Sequence, residues 1–145
     1  MVEIVDEPIE LERALGFVRT ERAGAIAVFV GVTRAWTHGV ETKYLEYEAY
    51  RDMACAKMQE LVDEVAAKFG ILGAAVIHRV GRVDVGEASL VVAFSSEHRA
   101  PVYAALEWYV DRLKAEVPIW KKEHYPEGDP QWIHPNGVVG RQQKL

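Results

Sequence analysis

Apolar and polar positions change their period several times along this chain, and each change marks an element. Residues 2–5 form a short apolar strand. Glu7 and Pro8 then introduce a helix over about residues 9–20, with Leu11, Leu15 and Val18 at helical spacing. Residues 25–32, rich in Ala, Val, Ile and Phe, predict a buried strand. Residues 34–42, RAWTHGVET, contain Gly39 and few apolar positions and predict a loop. Residues 43–50 alternate as a half-buried strand does. The longest helical pattern is residues 52–69, with Met58, Leu61, Val62 and Val65 as its apolar stripe and Gly70 as its stop. Residues 74–80 and 89–95 predict two strands joined by the turn-like GRVDVGE. A helix over residues 101–116 ends before Pro118, whose ring disfavours helical angles at Val117. Residues 119–125 alternate as a last strand, and from about residue 126 a loop-rich tail carries Pro126, Gly128, Pro130, Pro135 and Gly137.

Strand and helix are interspersed, but several strands come in hairpin-like pairs. The pattern predicts an α+β fold with a mixed, largely antiparallel sheet and about three helices. A length of 145 residues suits one domain spanning 1–145, and a 50% hydrophobic content is enough for a sizeable core. The start of the chain, MVEIVDEPIE, is acidic and alternating, unlike a signal peptide, and no apolar run approaches the ~20 residues of a membrane span. A cytoplasmic protein without membrane attachment is expected.

Charge narrows the possible partners. Seventeen basic and 22 acidic residues give a net charge of -5, against general nucleic-acid binding, which needs a basic face to neutralise phosphates. A small basic pocket for an anion remains open. Cys55 is the sole cysteine, which excludes an internal disulfide or a cysteine metal cluster. The histidines form no spaced metal motif, and no phosphate-loop or dinucleotide glycine pattern occurs.

Four places carry candidate chemistry. In LKAEVPIWKKEHY, Lys114 ends a helix, and Lys121 and Lys122 lie on opposite faces of the next strand. The reversal at Pro118 brings Lys114 back toward one of them. Close ammonium groups attract anions and lower each other's pKa. The same lysines also suit a helix C-terminus and an edge strand with no function at all. In SSEHRAP, His98 and Arg99 sit where a strand meets a helix N-terminus, a natural anion site, or are merely a solvated pair beside a cap. FVGVTR delivers Arg34 past Gly31. IHRVG holds His78, read as structural, and Cys55 reads as a small core residue.

Taken together, FVGVTR, IHRVGRVDVGE, SSEHRAPVYAALEWYVDRLKAEVPIWKKE and the later QWI resemble the large, catalytic subunit of molybdopterin synthase, the MoaE family, over about residues 29–133. The resemblance implies a sulfurtransferase that converts a cyclic pyranopterin monophosphate to molybdopterin. Its two sulfurs come from the C-terminal Gly-Gly thiocarboxylate of a small ubiquitin-like subunit. It implies a heterotetramer built on a dimer of large subunits, with no metal, cofactor or ATP at this step.

By the family's pattern Lys114 is the main catalytic residue and Lys121 the second. Arg34, His98 and Arg99 belong to the substrate pocket, with Val32 and Thr33 before Arg34 and Lys122 and Glu123 after Lys121. The family pocket borrows a residue from the neighbouring large subunit, for which Arg141 is a candidate. Cys55 matches no functional position, and nothing assigns Trp36 or His38. Two other readings stand beside this one. One is a non-catalytic phosphate- or pterin-binding module of the same fold. The other is a small hydrolase with His98 as base, which lacks a nucleophile in a strained elbow.

Overall fold

The computed structural model describes residues 1–134 and residues 137 and 138. Among them are three helices and two main sheets. The first sheet has the order β1-β6-β8-β2, from β1 (Val2–Val5), β6 (Gly73–Arg79), β8 (Ala88–Ser96) and β2 (Ala25–Val32). Only β1 and β6 run parallel; the other pairs are antiparallel. The expected α+β architecture is therefore present, with its strands divided between two sheets.

Helices cover both faces of the first sheet. Helix α1 (Leu11–Val18) sets Ala14 and Val18 against Ala75, Ile77, Val91 and Ala93. On the other face α2 (Arg51–Phe69) and α3 (Arg99–Glu116) cover Val76, Leu90, Val92 and Phe94. Strands β6 and β8 are thus apolar on both faces, which is why their sequences run apolar without alternation. The Tyr109 hydroxyl donates to the Met58 carbonyl at 3.0 Å and ties α3 to α2 inside this core. No helix among the described residues is long and apolar enough to cross a membrane.

The second sheet is antiparallel, with the order β11-β10-β9-β5-β7. It contains β5 (Tyr44–Ala49), β7 (Gly81–Asp84), β9 (Ile119–His124), β10 (Gln131–His134) and β11 (Gly137–Val138). Gly81, at φ 83°, lets the chain leave β6 and enter β7 within two residues. Pro118 makes the matching corner: α3 stops at Glu116, and β9 runs back along β5 with Lys121 opposite Tyr47. The two sheets meet at these corners.

The structure departs from the sequence-based elements at three places. The turn-like GRVDVGE contains β7, whose single buried residue, Val83, is too little for a periodic signal. The expected loop 34–42 folds into a ribbon of β3 (Trp36–Thr37) and β4 (Val40–Glu41). Its turn places both His38 (φ 49°) and Gly39 (φ 79°) in the left-handed region, as a tight two-residue hairpin demands. The loop-rich tail from 126 also needs correcting, because Gln131–His134 adds a strand beside β9. Proline and glycine mark the turn before it, but four residues are too few for alternation to be read.

At Gly73, the first residue of β6, a Cβ would lie 2.9 Å from the Val18 backbone and 2.9 Å from Ser95 Oγ. Gly73→Ala should therefore push α1 away from the sheet and lower unfolding free energy by about 1–3 kcal/mol, read from urea denaturation.

Candidate active site

The corner formed by α3, Pro118 and β9 gathers the cations. Lys114 stands in the last turn of α3, where its charge meets the negative end of the helix dipole. Lys121 follows on β9, half-buried. Its pKa lies below the ordinary lysine value, first because burial strips water from the ammonium, then because Lys114 repels it; Arg34 adds to the lowering and Glu123 opposes it. Lys114, Lys121 and Arg34 therefore share one electrostatic neighbourhood although they come from a helix, a strand and a loop.

Two hollows meet at this corner. A small cavity of about 90 Å³ is lined by Gly31, Tyr47, His78, Ser89, Lys114 and Lys121, among others. A wide groove of about 1040 Å³ is lined by Tyr50, Lys114, Trp120 and Trp132, among others. Tyr50 and Trp120 meet edge to face, 5.1 Å between ring centres, at the groove wall. Lys114 and Tyr47 line both hollows. As alternation requires, Lys122 points to the other face of β9 from Lys121 and sits 5.2 Å from the centre of the Trp132 ring. Glu123 accepts a hydrogen bond from the buried Thr42 hydroxyl at 2.6 Å.

The residues before Arg34 divide in character. Val32 is exposed at the end of β2, just past a bulge after Gly31. Thr33 is buried, its amide donating to the Glu87 carbonyl at 3.1 Å and its carbonyl accepting from Gly86 at 2.9 Å. Its hydroxyl has no protein partner among the described residues.

His98 and Arg99 are not brought to the lysines within one chain. Arg99 opens α3 and Lys114 lies in its last turn, 15 residues on, a separation of ~22 Å at 1.5 Å per residue. His98 and Arg99 are exposed at the far end, beside the start of β2, where Ala25 pairs with Ser96. The borrowed-residue candidate, Arg141, lies outside the described residues. The hydrolase reading loses its nucleophiles: Ser95 and Ser96 are buried, and the Ser96 hydroxyl donates to the His98 carbonyl.

Sequence reasoning passed over Tyr47 and gave His78 a structural part, yet both line the cavity under the lysines. For Tyr47 the usable signal is register, since it faces Lys121 directly across β5 and β9. For His78 there is none, because a histidine within an apolar strand reads the same whether or not a charge lies beside it.

Comparison with known proteins agrees with this architecture. The family model described as MoaE protein matches residues 4–116. The molybdopterin synthase catalytic subunit of Bacillus subtilis is 43% identical over 143 residues, covering 93% of this chain and 90% of that one. The crystal structure of molybdopterin synthase from Staphylococcus aureus superimposes with a TM-score of 0.85 at 43% identity, over 90% of this chain and 94% of that one. The MoaE protein of Burkholderia ambifaria gives 0.76 at 30% identity, over 90% and 86%. The chain belongs to the MoaE family.

Lys121 carries a stability cost with a definite pH dependence. Its folded pKa is depressed, so between that value and the unfolded value near ~10.4 the unfolded chain binds more protons and stability rises with pH. Lys121→Met should unfold at higher urea than the parent at pH 7, with the gap narrowing as pH climbs toward 10. Equal midpoints at pH 7 would mean that the ammonium carries no burial penalty.

Proposed function

We propose that this chain is the catalytic, large subunit of a molybdopterin synthase. On this reading it converts a cyclic pyranopterin monophosphate to molybdopterin, taking two sulfurs from the thiocarboxylated C-terminus of a small ubiquitin-like partner. The observation that carries the reading is the gathering of Lys114, Lys121 and Arg34 in one electrostatic neighbourhood, with Lys114 lining the wide groove. Both the sulfur donor and the phosphate substrate are anions. Lys114 and Arg34 are exposed and Lys121 is half-buried, so an arriving anion meets two accessible cations beside a partly desolvated one, and the desolvated charge attracts it more strongly than a fully solvated lysine would.

The groove suits an extended C-terminal tail, passing between aromatic walls with its thiocarboxylate at Lys114. There the ammonium stabilises charge on the acyl oxygen as the sulfur leaves, or passes a proton to it. Lys121, held half-buried beside Tyr47, fixes the substrate side of the site. Arg34 holds the phosphate, with Val32, Thr33, Lys122 and Glu123 around it. The reading treats residues 1–145 as one domain, because its site residues come from β2, α3 and β9 together. A cytoplasmic location goes with it.

His98 and Arg99 join the site of a second copy. Strand β2 is the edge of its sheet among the described residues and exposes Ile26, Val30 and Val32. One end of β2 lies beside His98 and the other leads into Arg34. A twofold axis across this strand exchanges its ends, so that the partner's half-site meets the lysine corner of this chain. Two complete sites result, each built from both copies.

Reconstitution with a thiocarboxylated partner and the cyclic substrate tests the reading. Wild type should form dithiolene-bearing pterin, while Lys114→Ala should bind the partner and form almost none. A folded wild type that binds the partner without turnover would favour the non-catalytic module. Subunit mixing tests the shared site: Lys114→Ala and Arg99→Ala, each inactive alone, should together recover up to about a quarter of wild-type turnover, because half of the exchanged dimers hold one intact site. No recovery after proven exchange would put His98 and Arg99 outside the neighbouring pocket.

A further inference from the structure

We propose that Thr42 is a positioning residue for the cation corner: its buried hydroxyl holds the Glu123 carboxylate, which keeps that acid from pairing with Lys121 and ties the loop bearing Arg34 to β9. The inference rests on the parts given to Arg34 and Lys121 above.

Thr42 lies between the β3–β4 ribbon and β5, and only 4% of its surface is exposed. It bonds in two directions. Its amide donates to the Ala35 carbonyl at 2.8 Å and closes the base of the ribbon, one residue after Arg34. Its hydroxyl donates to Glu123 Oε2 at 2.6 Å. The next amide, of Lys43, donates to the His124 carbonyl at 2.8 Å, so the ladder between β5 and β9 starts directly beyond the staple. Among the described residues the Thr42–Glu123 bond is the only side-chain hydrogen bond between loop 33–42 and β9. Arg34 is itself exposed, yet its backbone is held on both sides. Thr33 is fixed to the Glu87 carbonyl and the Gly86 amide, and Ala35 is fixed to Thr42.

Lys121 and Glu123 project from the same face of β9, because side chains two apart on a strand do. An ammonium and a carboxylate so placed have every reason to pair. Among the described residues they form no ion pair, and the carboxylate is taken by the hydroxyl instead. Glu123 acts on Lys121 through space, against the effect of Lys114 from α3 and Arg34 from the loop. Tyr47 and His78 share the cavity with Lys121. Glu123 is thus the acid whose position decides how much of the Lys121 charge is left for a ligand.

A hydroxyl suits this task. It gives the carboxylate a short bond without bringing in another cation. An apolar residue of the same shape would leave the carboxylate short of a donor, and the nearest strong one on its face is Lys121. The pair formed there would cancel charge that an arriving anion would otherwise meet, and the Arg34 loop would lose its tie to β9.

Thr42→Val removes the hydroxyl and keeps both the shape and the amide bond to Ala35. Thr42→Ser keeps the hydroxyl. Positioning predicts that Thr42→Val raises KM for the cyclic substrate about 10-fold, with kcat within about threefold and partner Kd unchanged. Thr42→Ser should recover most of that loss. Carbon-13 NMR of the Lys121 Cε, followed against pH, supplies a readout independent of turnover. The titration midpoint of Lys121 should rise in Thr42→Val, as the freed carboxylate turns to it, and return in Thr42→Ser. Should Thr42→Val fail to fold, Thr42→Ala loses the same bond with less bulk and must show the same rise. A lower Tm with an unmoved Lys121 midpoint and an unchanged KM would mean that Thr42 only packs, and would overturn the proposal. Absence of product from wild type would instead overturn the reaction assigned to the site, and the Lys121 titration would still decide whether Thr42 holds Glu123 away.

Discussion

Like charges do not gather unless something stronger holds their backbones in place. Lys114 and Arg34 both make the charge on Lys121 costlier, with Glu123 opposing them. What confines them is the doubly covered sheet. Helix α3 is pinned through Tyr109 to α2 and through Phe94 to β8, whose ring meets Tyr109 edge to face at 5.4 Å. Strand β9 is locked by six register pairs with β5. Between these two anchors the chain has only Val117 and Pro118, and the Val117 amide closes the helix on the Leu113 carbonyl at 3.0 Å. Repulsion cannot open so short a corner without unzipping a strand or a helix. Core burial thus sustains the electrostatics of the surface.

The second sheet has a different task. It contributes little to the core but builds a wall. Tyr44 stacks on His124, and the Arg82 guanidinium lies over the Tyr44 ring at 3.9 Å. Such contacts stiffen a partly exposed surface that apolar burial alone would leave loose. A stiff wall keeps the groove open before anything enters it, so less ordering has to accompany binding.

Much of this was legible in the chain, and the reasons differ by element. The α2 stripe of Met58, Leu61, Val62 and Val65 and the Gly70 stop appear where periodicity places them, with Gly70 at φ 68°. Helix α3 begins at Arg99 rather than Pro101, because proline is tolerated throughout a first turn whose amides lack partners. Helix α1 is shorter than 9–20: Glu10 and Arg19 at its two ends are extended, and Glu10 supplies no side-chain cap. Strands β7 and β10 were invisible because four residues on a sheet margin carry no period. The lysine corner could be guessed from Pro118. The distance between Arg99 and Lys114 could equally have been counted along the sequence, yet motif proximity in a family pattern suggests one pocket where a single chain holds these residues at opposite ends of α3.

Helix α3 consequently acts as a gauge. It holds Arg99 at one tip and Lys114 at the other, and in the shared-site dimer proposed above these tips serve different pockets. One residue inserted between them would rotate the tips by ~100° relative to each other and lengthen the rod by ~1.5 Å. Both reaction centres would fall out of alignment at once, although neither had lost a functional group. On that proposal the helix length answers to the spacing of the two centres as well as to the core it covers. Drift in the contact between copies has to be matched by drift in this one element.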